Sequence, residues 1–459
     1  MKRTIGLSGA IFTLVGFVVG VSIFLLPGEL AATVGPGVII SYGIASAMAV
    51  FSCVIAAFVG TTFPVSGASF VVSTKMTAPI FGFLMIWLLL SGIAMAVALV
   101  AHGFAEYSNV LIPGMSKTAI AVCVVIVFGA INVLGVSATV GLQAFMVVLF
   151  MVTVVVFSVV GVSQVNSDLL VPVMPSGFGP VMSAAVPAFF SYAGFLMIIE
   201  IGGEIKNPSK TIPLALLLSF LIVWLCYSAV SLTIVGNIPW QELADDHAPI
   251  STISALIFPD WAVAIIPVTI LIAAATSVNG LLLGYSRDIY ALSKVRIFPE
   301  KLSYGYAKLT EFSGGVIMLT IASVVAVLLN ARISEYATSI VMALMVSQIM
   351  IGVATLRLPK MLPGMLSESR FAIRPFWRVF FALGLILLST GFIIIGVMDS
   401  PASALFLGLF LLSGLAYYLL RKSYLKSRRI DMESYVLKYI DDSIADTERK
   451  NRPRPKKSL

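Results

Sequence analysis

Residues 16–22 read Gly16-Phe-Val-Val-Gly20-Val-Ser22, and they interrupt a stretch that carries no charge from Thr4 to Gly28. A second interruption, Phe190-Ser-Tyr-Ala-Gly194, falls in the uncharged stretch between Asp168 and Glu200. A helix in lipid must satisfy every backbone N–H and C=O internally, so a break survives only where it lines a polar cavity. Breaks at corresponding positions of two repeats mark the substrate site of a secondary transporter. Gly16 and Gly20 also have the four-residue spacing of close helix packing. Recurrence of the break in a second stretch is what favours the cavity reading.

The chain around these breaks is that of a polytopic, all-α membrane protein. Of its 459 residues 59% are apolar and 11% charged, against roughly 25% charged in soluble domains. Apolar runs predict twelve transmembrane helices, near 5–33, 37–63, 77–105, 116–135, 140–163, 179–202, 211–236, 256–293, 314–330, 335–356, 374–397 and 401–421. The breaks fall in spans 1 and 6. An offset of five spans reverses the direction of insertion, so the spans divide into two inverted repeats, residues 1–163 and 179–356, with discontinuous helices 1 and 6. A further helix pair at 374–421 and a basic tail at 422–459 follow.

With both termini in the cytoplasm, all but Lys117 and Arg332 of the 29 lysines and arginines fall on the inner side, a strongly positive-inside pattern. This places the protein in the plasma membrane as a multi-pass protein and explains the net charge of +8 without any nucleic-acid partner. The tail is expected to lie solvated near anionic headgroups. Cys53, Cys123 and Cys226 fall within spans, without the spacing of a metal site or disulfide framework. Lys2 and Arg3 precede a span too long for a cleavable signal. The outer loop 237–251 carries Glu242, Asp245, Asp246 and His247, read as solvated surface.

Three ordered motifs make a resemblance specific. Gly20-Val-Ser22-Ile-Phe24 is similar to the G-S-G-[IV]-F signature of the amino acid–polyamine–organocation superfamily. Gly203-Glu204-Ile-Lys206-Asn207-Pro208, followed by Ile212-Pro213, resembles its exit from span 6. Ser286-Arg287-Asp-Ile-Tyr290-Ala291 resembles its motif after span 8. The resemblance covers about the first 360 residues and implies the leucine-transporter-type fold and transport of an amino acid.

The half-helix beginning at Ser22, Ile23 and Phe24 offers N–H groups and partial positive charge to a carboxylate. The carbonyls of Phe190, Ser191 and Ala193, with Val18 or Val19, suit an α-ammonium group. No charged side chain lies at either break, so the backbone alone matches an α-amino acid, with Gly20 at the centre of the cavity. By resemblance, Met95, Phe195 and Leu281 line the side-chain pocket, with Leu196 where arginine exchangers carry a Glu. An unpaired guanidinium there is costly, which favours neutral substrates.

Ala273-Ala-Ala-Thr276-Ser277 in span 8 supplies two hydroxyls and a carbonyl one turn earlier, hard oxygen ligands suited to Na⁺. In sodium-coupled members of the fold such a pair faces two carbonyls of the first broken helix, here Gly16 and Val19. Such hydroxyls also bond simply to the carbonyl one turn back. Some proton-coupled relatives place a Lys of span 5 in the sodium position; span 5 here, Gly141 to Val162, has none. The expected activity is therefore Na⁺-coupled amino-acid transport, with no organic cofactor. An obligate exchanger or H⁺-coupled permease of the same fold is the alternative.

Glu200, in an otherwise apolar run, is a gate or proton site by default. Glu204 is expected to cap, or to pair with basic residues such as Arg287, at the cytoplasmic mouth, and Tyr192 to gate beside Phe190. The two histidines, His102 and His247, lack metal-ligand spacing and sit apart from any acid–base cluster, which argues against an enzyme. Repeated pore-lining polar rings, which a channel needs, are missing from the spans.

Overall fold

The computed structural model describes residues 3, 5–63, 68–135, 140–244, 246, 248–303, 312–361 and 373–451; His247 and the end of the tail, 452–459, lie outside the described residues. The described chain is helical, with a single isolated backbone bridge between Ile5 and Ile205. In chain order the helices are α1 Leu7–Val19, α2 Ser22–Val34, α3 Val38–Thr62, α4 Ala68–Met76, α5 Pro79–Leu111, α6 Lys117–Val133 and α7 Val140–Ser163. Then come α8 Phe178–Ala188, α9 Met197–Glu200, α10 Pro208–Asn237, α11 Pro249–Ile257, α12 Asp260–Val263 and α13 Ile265–Lys294. The last are α14 Ser313–Leu328, α15 Ile333–Met361, α16 Pro375–Asp399, α17 Pro401–Ser427 and α18 Met432–Asn451.

Nine of the described helical stretches are long and apolar enough to cross a bilayer, and three shorter apolar ones, α1, α6 and α14, accompany them. The first expected span is divided into α1 and α2 at Gly20-Val21. The sixth is a succession of α8, a 3-10 stretch over Phe189–Leu196, and α9. That second break keeps a helical winding, tightened to 3-10 geometry behind Pro187, where a fully unwound segment was expected.

Burial ranks the helices. The most apolar window of α5 is 83% buried inside the protein, against 22% for α17. So α5 is the central post, packed by α13, α14 and α15, while α16 and α17 form a more exposed flank. A second group joins α1 and α3 to α10.

Both ends of the described chain meet one face. The Ile5 N–H donates to Glu204 O at 3.0 Å and the Lys206 N–H to Ile5 O at 2.8 Å. On the same side Lys75 of α4 pairs with Asp441 of α18 at 2.6 Å. The described part of the tail, to Asn451, is helical and packed where its charge suggested a solvated segment. Met432, Val436, Ile440 and Ile444 form an apolar stripe one turn apart, and all four are buried. A helix with such a stripe docks instead of staying solvated.

Candidate functional site

The break in the first span is built by one glycine. Gly20 has φ +41°, a conformation that side chains disfavour, so α1 ends there and α2 restarts at Ser22. Three residues carry the polar traffic of the break. Ser22 Oγ lies 3.1 Å from Val19 O, Tyr227 Oη lies 3.3 Å from the same carbonyl, and the two hydroxyls are 2.6 Å apart. Two hydroxyl protons serve three contacts, so two of them are hydrogen bonds at any moment.

The second break faces the first. A Cβ on Gly194 would come within 3.2 Å of the Val18 Cα and 2.9 Å of the Phe17 ring. Gly194 is therefore a point of close backbone approach between the two broken helices. The third wall is α13: a Cβ on Gly20 would sit 3.1 Å from Ser277 Oγ. Both hydroxyls, Thr276 Oγ1 and Ser277 Oγ, donate to Ala273 O at 2.8 Å, which leaves their oxygen lone pairs free. The oxygens of Gly16, Val19, Ala273, Thr276 and Ser277 are all neutral. Such a set suits a hard monovalent cation; Ca²⁺ sites use carboxylates as well. Val147 of α7 closes the far side, 3.0 Å from where a Cβ on Gly16 would be.

Between these walls lies a cavity of about 500 Å³. Of the expected residues, Gly16, Val18, Gly20, Ser22, Phe190, Ala193, Thr276, Ser277 and Leu281 line it. Val19, Ile23, Phe24, Met95, Ser191, Phe195 and Ala273 are buried and stand outside that lining. Leu89, Ile93, Val100, Ile340 and Leu344, from α5 and α15, complete an apolar end. Every described lining residue is uncharged. The cavity runs along α1 to the exposed Phe12 and Thr13, and to Tyr285, toward the face that holds the chain ends.

Its opposite side is shut by tyrosines. Tyr42 stacks on Tyr227 with centroids 5.2 Å apart, and Tyr192 meets Tyr227 at 6.0 Å. Ser191 Oγ reaches Tyr42 Oη at 3.5 Å. Tyr107 Oη donates to Phe24 O at 3.0 Å, and Leu25 fills the space beside Gly103. Tyr192 was expected at a gate and lies in this layer; Tyr42 and Tyr227 were not singled out. The signal for them is weak, a single tyrosine among the serines and threonines of each of two apolar spans.

At the other end, the Glu200 carboxylate reaches the side chain and N–H of Ser69 on α4. Glu204 holds Ile5 through its backbone carbonyl. Arg287 is exposed, its guanidinium 5.7 Å over the Phe312 ring. Among the described residues the expected Glu204–Arg287 pair is not formed. The cation–π contact occupies the guanidinium instead.

Comparison with known proteins supplies the remaining constraint. The sequence profile of the family described as amino acid permease matches residues 9–432. The branched-chain amino acid permease BcaP of Bacillus subtilis is 27% identical over 328 residues, 67% of this chain and 70% of that protein. Its namesake in Lactococcus lactis subsp. cremoris is 29% identical over 339 residues, 68% and 72% of the two chains. The methylthioribose transporter of B. subtilis is 28% identical over 308 residues, 62% and 66% of the two chains.

Proposed function

Because this chain belongs to the amino acid permease family, we propose that it carries a neutral α-amino acid with an apolar side chain across the plasma membrane by alternating access, coupled to Na⁺. Its twelve spans would form two inverted repeats of five and a further pair, with both termini in the cytoplasm. The face that joins the chain ends is then the inner face, and the structure is open inward.

The observation that carries this reading is the meeting of two broken helices with Thr276 and Ser277 around an uncharged cavity. The N–H groups of Ser22 and Ile23 at the start of α2 take the carboxylate, because the Phe24 N–H is already spent on Val21 O at 3.0 Å, and carbonyls of the second break take the ammonium. The aliphatic end, from Leu89 to Leu344, takes the side chain. It holds no partner for a guanidinium or ammonium group, whose burial there would be costly. An apolar end also agrees with the two relatives named as branched-chain permeases. Oxygens of Gly16, Val19, Ala273, Thr276 and Ser277 would hold Na⁺, whose gradient supplies the driving force. By linkage, ion and substrate each raise the other's affinity by the same factor.

The test is uptake of radiolabelled leucine into proteoliposomes with and without an inward Na⁺ gradient. The reading expects uptake that falls to background when choline replaces Na⁺. Undiminished uptake in choline, with exchange against internal leucine, would replace symport by obligate exchange. Stimulation by an inward proton gradient instead would make the protein an H⁺-coupled permease.

A further inference from the structure

The first turn of α15 is capped by a side chain from the other end of the chain. α15 begins at Ile333 behind Arg332, and a guanidinium has no acceptor to offer. Glu335 reaches back to the Arg332 N–H at 3.0 Å, which is half of a capping box. The other half is missing in cis, so the Ser334 N–H is one of the orphan donors of a helix start. Its partner is Glu29 Oε1 of α2, at 2.9 Å.

The surroundings make this bond specific. Glu29 lines a second cavity of about 980 Å³, with His102, Glu106, Lys117, Arg332 and Glu335. Lys117 is paired with Glu106, and His102 Nε2 contacts Val327 O at 3.2 Å and Tyr336 Oη at 3.4 Å. No ion pair holds Glu29 among the described residues. Its carboxylate is held by the helix start, where the partial positive charge favours an anion. α2 is the half of the broken helix that shuts the substrate cavity on this side, with Leu25 beside Gly103 and Phe24 O under Tyr107. Opening this side must part α2 from α5 and α15, and the Glu29–Ser334 bond breaks with it.

We propose that Glu29 is a positioning residue of the outer gate: it caps α15 in trans, and so favours the state closed to the outside. The proposal rests on the alternating-access reading. A cap of this kind sets the balance of the two states by a factor of about five to ten.

The experiment uses the full-length protein in proteoliposomes, with its three cysteines replaced and one reporter cysteine added. Ala184→Cys reports from the outer cavity and Thr13→Cys from the inner one, as both positions line them. Labelling rates with a maleimide applied to each side are the readout. Glu29→Leu should raise labelling at 184 about five- to tenfold and lower it at 13. Glu29→Gln, which keeps an acceptor and loses the charge, should fall between. Ser334→Pro removes the donor in a first turn where proline is tolerated, and should repeat the effect if Glu29→Leu does not fold. Rates that stay unchanged, or that rise together at both positions, overturn the proposal. Leucine with Na⁺ is the control on the unsubstituted gate. If it moves the two reporters in opposite senses while the variants do not, the gate assignment alone fails; if it moves neither, alternating access fails and the proposal with it.

Discussion

Replacing Thr276 by Val and Ser277 by Ala removes two of the five oxygens assigned to Na⁺ and little else. Both hydroxyls spend their protons on Ala273 O, a carbonyl that keeps its own helical N–H partner. Valine preserves the shape of threonine, so folding should lose about 2 kcal/mol for the two bonds, a shift of a few degrees in Tm for a chain of this size. The cation loses far more. A contact between a charge and a neutral dipole is worth about 1.5–3 kcal/mol, so two amount to roughly 3–6 kcal/mol, or at least a hundredfold in affinity. Ser277 stands nearer the break, 3.1 Å from the place a Gly20 Cβ would take. Ser277→Ala alone should therefore have the larger effect of the two single changes. The assay is leucine uptake against external Na⁺, beside a thermal unfolding scan of the same preparation. The half-saturating Na⁺ concentration should leave the accessible range, and leucine binding should stop responding to Na⁺. A folded double variant whose half-saturating Na⁺ shifts by less than tenfold would refute the assignment.

Three further outcomes test other walls of the cavity. Gly20→Leu must adopt φ +41° and meet Ser277, so it should abolish leucine-dependent thermal stabilisation while the protein remains folded; normal stabilisation would make this break structural. Tyr227→Phe leaves one hydroxyl proton, that of Ser22, for Val19 O, a loss of one net hydrogen bond of about 1 kcal/mol; leucine affinity by calorimetry should weaken about fivefold, with the ring still stacked on Tyr42. Val147→Lys puts an ammonium opposite Gly16, where the sodium would sit; uptake should then persist in choline, and retained Na⁺ dependence would place the cation elsewhere.

The helical stretches were legible because runs of about twenty apolar residues have few other uses, and the two breaks because glycine punctuates them. What stayed hidden depends on partners remote in sequence. Ser22 and Tyr227 are 205 positions apart, and Glu29 and Ser334 are 305 apart. A tyrosine in an apolar span reads equally well as core, and an acid after a proline-containing turn reads as surface. The apolar stripe from Met432 to Ile444 is present in the sequence, yet it lies in a tail whose basic residues point equally to lipid headgroups. Even the glycines that were found had their roles set from outside. Gly20 is a glycine because its own φ is positive. Gly194 lies outside that conformation and is a glycine because the backbone of Val18 leaves no room for a side chain. One glycine turns the chain and the other lets two helical segments touch. The residue type is the same in both cases, and only the neighbour across the cavity distinguishes them.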